Sequence, residues 1–142
     1  MGLVNICERG IRDSMLDTGI RGEKTVQVTP ENTAEALGSG TLPVFATPAM
    51  IALIEATASE SVAPFLEEGS STVGTHLDVA HSAATPVGMS ATCVTELVEI
   101  DRRRLVFRVI VTDGKDEIGS GTHERFVVDN AKFMSKAQSK LQ

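Results

Sequence analysis

The stretch Thr47–Val62, TPAMIALIEATASESV, decides the fold. It reads as one long buried helix. Thr47 is suited to the N-cap, where its hydroxyl accepts from the free N–H groups of the first turn. Pro48 would then occupy the first helical position, where its missing N–H costs nothing. Pro64 disfavours helical geometry at Ala63 and is expected to end the element. At about 100° per residue, Ile51, Ile54, Ala58 and Val62 share one stripe. Glu55 falls at the edge of that stripe. Its carboxylate is either desolvated or directed into a cavity, or the helix is rotated slightly and Glu55 reaches water at the rim. Carboxylates taken out of water gather at working sites.

Upstream, residues 14–20 and 24–29 read as two short strands around a turn at 19–22, with Val26 and Val28 on one face. Thr29-Pro30 looks like another helix start, and residues 31–37 suit a short helix that Gly38-Ser39-Gly40 breaks. Downstream, residues 72–83 read as a strand. Val73, Leu77, Val79 and His81 share one parity; Gly74, His76, Asp78 and Ser82 share the other. Further strands are expected at 90–100, 104–112 and 117–128. The tip Asp101-Arg102-Arg103 joins the first two, and the hairpin signal Asp113-Gly114 joins the last two. Residues 129–142 have the composition of a solvated end helix. The pattern implies an α+β fold in which an antiparallel sheet wraps one long helix. Ala49, Ala52, Ala56 and Ala58 are small enough to let a sheet come close.

The chain has 142 residues, which suits a single domain over 1–142. Hydrophobic residues make up 42%, with no Trp or Tyr, so aliphatic residues and five Phe must form the core. The net charge of −6 argues against a general nucleic-acid surface but leaves small anionic ligands open. Cys7 and Cys93 lack CxxC spacing, so no metal site is expected, and a reducing compartment is the simple reading. No apolar run suits a signal peptide or a membrane span, so a soluble, cytoplasmic protein is expected.

His81 faces the same interior as the helix. By itself such a histidine is more often a hydrogen-bonded core residue than a catalyst. With Glu55 it forms a plausible acid/base pair in an apolar pocket. Thr47 adds a hydroxyl and the N–H groups of a helix start, suited to a developing oxyanion, although plain capping would also explain it. Gly74 in a well-patterned strand suggests a bulge, a close approach, or a packing site against the helix. His76, of opposite parity, reads as surface or subunit contact. Arg125 reads by default as a structural ion-pair partner, for Glu124 or for a carboxylate across the sheet. Arg102-Arg103-Arg104 could meet a phosphate, but a charged turn is usually only solvated. No Walker loop, GxGxxG turn or GxSxG elbow is present.

The runs VFATPAMIALIEATA, GTHLDVAHSAATPVG and DEIGSGTHERF, in that order, closely resemble the fluoroacetyl-CoA thioesterase family of hot-dog-fold proteins. The similarity covers about residues 44–133. The resemblance implies a sheet of five or six strands around a central helix, subunits paired sheet edge to sheet edge, and acyl-CoA sites near that interface. It assigns catalytic roles to Thr47, Glu55 and His81, and substrate-binding roles to Gly74 and Arg125. One feature departs. Phenylalanines of the family's lid segment are absent from residues 36–43, which puts selectivity for the fluorinated acyl group in doubt and implies a looser lid. The resulting expectation is a homodimeric acyl-CoA thioesterase acting on a short or small acyl group. It needs no metal or redox cofactor, and coenzyme A enters only as part of the substrate. The competing readings are a hot-dog enoyl-CoA hydratase or dehydratase and a non-catalytic acyl-CoA-binding module.

Overall fold

The computed structural model describes residues 16–142. The lead-in at residues 1–10, Cys7, and the start of the strand expected at 14–20 lie outside the described residues. Residues 16–20 form a turn rather than a strand. Gly19 N donates to Leu97 O and Leu97 N donates to Ile20 O, each at 2.8 Å. These bonds hold the turn against the sheet, and the strand starts after it.

Five strands form one antiparallel sheet: β1 (Arg21–Gln27), β2 (Ser70–His81), β3 (Ser90–Asp101), β4 (Arg104–Thr112) and β5 (Glu117–Asp129). Their spatial order is β1-β3-β4-β5-β2, so β1 and β2 are the edges among the described residues. The helical segment expected at 31–37 is split. A 3₁₀ turn covers Pro30–Asn32, and a single helical turn, α1, covers Ala34–Leu37. Thr33 interrupts them because it pairs with Phe45 in an isolated bridge, and its hydroxyl accepts from Ala36 N to cap α1. The end helix is α3 (Asn130–Gln138), capped by Asp129, and it has no buried residue.

The long helix, α2, spans Thr47–Val62, as expected, but both its ends differ from the reading above. Ala46 is the N-cap, and Thr47 and Pro48 are the first two helical residues. The Thr47 hydroxyl bonds to His81 instead of capping. At the other end Ala63 keeps right-handed helical dihedrals despite Pro64, and the chain tightens into a 3₁₀ turn, Ala63–Phe65. Met50, Leu53, Ile54, Thr57, Ala58 and Val62 are buried, whereas Ile51 is half-buried. The stripe is therefore rotated toward Met50 and Leu53, and the Glu55 side chain sits at its rim, 41% exposed. The sheet covers less of the helix than expected. Of the four alanines only Ala58 is buried, while Ala49, Ala52 and Ala56 line an open apolar groove with Phe45 and Leu37.

The core lies between α2 and the concave face of the sheet. Alternate residues of β3 and β4, such as Cys93, Leu97, Leu105, Phe107, Val109 and Val111, point into it and are fully buried. Each such Leu or Phe contributes about 1.5–3 kcal/mol. On β2 the alternation is broken by a register shift between Gly74 and His76. Before it, Thr72 and Gly74 face the helix; after it, Leu77, Val79 and His81 do. The expected inward position of Val73 is thus wrong. It turns outward with its register partner Phe126, which is 41% exposed.

Candidate active site

Two groups of the predicted residues come together in one protomer. At the start of α2, Thr47 Oγ1 lies 2.7 Å from His81 Nδ1 at the end of β2. His81 is half-buried, and burial pulls its pKa below the ordinary imidazole value, against a smaller opposing effect of the Ala83 backbone. Its Nε2 is buried and has no hydrogen-bond partner among the described residues. An orphaned nitrogen of this kind costs about 1–3 kcal/mol and calls for a functional reason. A cavity of about 280 Å³ adjoins the pair, walled mostly by short side chains including Ala34, Ser39, Ala83 and Ala84.

The lid-like loop beside that cavity is pinned to its own base. Ala34 N donates to Val44 O at 2.8 Å, and Glu35 N donates to Leu42 O at 3.1 Å. Gly38 closes α1 in the left-handed region, at φ 72°. Leu37 and Leu42 are the large apolar side chains it exposes.

Two helical turns along α2, Glu55 meets the middle of β2 and β5. Its carboxylate occupies the space where a side chain at Gly74 would begin. Gly74 therefore provides both the bulge and the close approach read from the sequence, and the approaching group is the glutamate. Arg125 donates from Nη1 toward Glu55 Oε2 across 3.5 Å. The other guanidinium donors are taken by Thr72: Nε to its hydroxyl at 2.7 Å and Nη2 to its carbonyl at 2.9 Å. The Arg125 side chain is only 7% exposed, and burial pulls its pKa below its ordinary value, with Glu55 opposing. Neither carboxylate offered for Arg125, Glu124 or one across the sheet, is its partner: the acid it meets, Glu55, comes from α2. Glu124 bonds Arg104 at 3.1 Å.

A fourth member of this group was not singled out from the sequence. His123 is fully buried, two residues before Arg125 on the same face of β5. Its Nδ1 must donate to the His76 carbonyl, 2.8 Å away. That leaves Nε2 free to accept from Arg125 Nη1 at 3.1 Å. Burial and the Arg125 charge both push its pKa down, so the neutral tautomer is the one the site holds. The available signal was the alternation in GSGTHERF, which puts His123 and Arg125 on one face. His76 itself is exposed, as expected, and contributes only its carbonyl.

The two groups are apart within one protomer. Eight residues of α2 separate Thr47 from Glu55, about 12 Å of rise. Seven residues of β2 separate Gly74 from His81, roughly 20 Å. Glu55 and His81 of the same chain therefore do not meet. Cys93 is no candidate nucleophile, because burial pushes its thiol up to about 11. Among the described residues no three His, Cys, Asp or Glu side chains are grouped to hold a metal ion. No helix there is long and apolar enough to cross a membrane.

The sequence model of the fluoroacetyl-CoA-specific thioesterase family matches residues 28–131. The fluoroacetyl-CoA thioesterase of Streptantibioticus cattleyicolor is 47% identical over 97 residues, which is 68% of this chain and 70% of that protein. A solved structure of a fluoroacetyl-CoA thioesterase superposes with a TM-score of 0.83 at 40% identity, covering 88% of this chain and 97% of the other. A hot-dog-like protein of Thermanaerovibrio acidaminovorans superposes with a TM-score of 0.82 at 18% identity, covering 92% and 96%, and supports the fold alone. A curled antiparallel sheet around one helix, carrying these matches, makes the chain a member of the fluoroacetyl-CoA-specific thioesterase family, hot-dog-fold hydrolases of acyl-CoA thioesters.

Proposed function

We propose that this thioesterase cleaves a short acyl-CoA as a homodimer, with Thr47, Glu55 and His81 as its reacting groups. The observation that carries the reading is the pair of half-sites: a hydroxyl on an imidazole at one end of β2, and a carboxylate beside a buried arginine near its middle. β2 is an edge strand whose residues 74–76, 78 and 80 are exposed. Antiparallel pairing of two such edges about a two-fold axis between residues 77 and 78 sets Gly74 opposite the partner's His81. One copy then supplies Glu55, Gly74 and Arg125, and the other supplies the Thr47–His81 pair.

In that site, Glu55 attacks the thioester carbonyl, or takes a proton from the water that attacks it. The carbonyl oxygen gains charge near the open N–H groups of the first turn of α2. The tetrahedral carbon expels the thiolate, which takes a proton by way of His81 and leaves as coenzyme A; the acyl group remains as the free acid if water attacked, or as an anhydride with Glu55 if the carboxylate did. If Glu55 is the nucleophile, water then cleaves the acyl anhydride. Gly74 makes room for the carboxylate, and Arg125 holds it in place. A thioester is already activated, so the reaction calls on no metal or redox group. The small cavity beside Thr47 and His81 suits a short acyl chain, and the lack of an aromatic lid favours tolerance over fluoroacetyl selectivity. The cytoplasm, where CoA thioesters are made and thiols stay reduced, is the fitting compartment.

The test is release of free thiol from a panel of acyl-CoAs, run beside hydration of crotonyl-CoA. Thiol release with no hydration supports the hydrolase. Hydration alone would point to an enoyl-CoA hydratase, and tight binding with neither reaction would point to a binding module.

A further inference from the structure

Asp113 does more than start the turn between β4 and β5. Its Oδ1 accepts from Lys115 N at 2.9 Å and from Asp116 N at 2.8 Å, which is all that the turn asks of it. Its Oδ2 accepts from the hydroxyl of Thr85, at 2.8 Å. Both residues are buried, so this bond is closed to water. The backbone donors of Asp116, and then of Lys115, hold the Asp113 carboxyl below the usual carboxylate range. The bond to Thr85 is therefore charge-assisted at neutral pH.

Thr85 belongs to the strap that leaves β2 after His81. Ser82 N donates to Ile118 O at 2.7 Å, and Phe45 N donates to Thr85 O at 2.9 Å. Val44 and Pro86 add an isolated bridge. Between these ties, Ala83 and Ala84 wall the cavity beside Thr47 and His81. Thr85 lies four residues after His81, and its partner Phe45 lies two residues before Thr47. One buried residue thus joins the β4–β5 turn, the lead into α2 and the end of β2. Thr47 and His81 come from different elements and meet in a single 2.7 Å contact. Their separation depends on how those elements are tied together.

We propose that Thr85 and Asp113 are positioning residues for thioester cleavage: their bond holds the strap at residues 82–86, and through it the His81 imidazole, against Thr47. This rests on the reading of Thr47 and His81 as reacting groups. A misplacement of about 1 Å at reacting groups can cost roughly 10²-fold in rate, so loss of the bond should show in turnover.

Thr85→Val keeps the shape of the side chain and removes the hydroxyl, and Thr85→Ser keeps the hydroxyl. Asp113→Asn keeps an acceptor for the turn and removes the charge from the bond to Thr85. The expected result is a kcat lowered about 10–100-fold in Thr85→Val and less in Asp113→Asn, with KM little changed. Thr85→Ser should restore most of kcat. The chain has three histidines, so their imidazole C2–H resonances can be followed singly by NMR. In Thr85→Val the His81 titration midpoint should rise toward the ordinary imidazole value, because a loosened strap lets water reach the ring. The midpoint of His123, in the middle of β5, should stay where it is. An unchanged kcat or an unchanged His81 midpoint in Thr85→Val would overturn the proposal. Equal kcat losses in the serine and valine variants, or equal shifts at His81 and His123, would do the same. Should Thr85→Val fail to fold, Asp113→Asn decides by the same two readouts. Unaltered protein that cleaves no thioester would sink the hydrolase reading instead, and the His81 midpoint would still decide whether the bond positions the imidazole.

Discussion

The Glu55 carboxylate stands where the side chain of Gly74 would begin, so the two residues, on different elements, share one volume. No side chain can be added at Gly74 without displacing the carboxylate. Gly74 lies outside the left-handed region, so alanine meets no backbone strain there and acts only by pushing the carboxylate away. Gly74→Ala should lower kcat about 10²–10⁴-fold, as Glu55→Gln should. Glu55 is half-exposed and can swing outward, so the stability cost should fall at the low end of about 1–3 kcal/mol for added volume. Steady-state kinetics beside thermal melts would check both. Full activity in Gly74→Ala would show that the carboxylate need not be where it is.

Thr47 is an exposed residue, yet its hydroxyl is spent on His81. Thr47→Ser keeps that bond and should retain most of the activity. Thr47→Val keeps the shape and loses the bond, which should cost about 5–100-fold in kcat if the imidazole reacts. Equal rates in the serine and valine variants would reduce the contact to packing.

His123 should act through Arg125. His123→Leu removes a donor from the His76 carbonyl and an acceptor from Arg125, and should destabilise the protein by about 1–3 kcal/mol. His123→Gln can place an oxygen near the lost Nε2. It should recover kcat more than His123→Leu does, with KM little changed in either. Similar kcat values for both variants would confine His123 to a structural role.

Stability should depend on pH through the two histidines. Both have folded-state pKa values below 6.5, so as pH falls through 6.5 the unfolded chain binds protons before the native one. Native stability should therefore be full above about pH 7 and decline as pH drops through 6.5 and below. Melting temperatures recorded between pH 7.5 and 5 should follow that slope. His123→Gln should flatten part of it, and a slope of the same size in the variant would assign the effect elsewhere.

A site shared between copies makes inactive variants complement each other. Glu55→Gln and His81→Ala should each be inactive alone. Mixed and re-associated, they should recover about one quarter of the unaltered activity, because half the dimers are mixed and each has one intact site. No recovery, in a sample shown by light scattering to contain mixed dimers, would exclude the shared site.

Much of this molecule was legible in the residue order. Period-3.6 spacing and Pro48 located α2, and Asp113-Gly114 and the arginine tip located two hairpins. The motif runs pointed to the family and to five site residues. Local signals fell short where a long-range contact competed with them. Thr47 has a cap residue's chemistry, but His81, distant in the chain, took its hydroxyl. Val73 followed a perfect alternation until the bulge after Gly74 shifted the face by one residue.

Tertiary structure decided the partnerships. Glu55 and Arg125 are 70 residues apart, and no periodicity within either element states that they meet. His123 was readable as inward but not as the acceptor that holds Arg125, because that depends on the pairing of β5 with β2. The order of residues determines which side chains share a face, since backbone geometry repeats locally. Which faces come together is set by packing over the whole chain, where a single extra residue in one strand redirects all that follow.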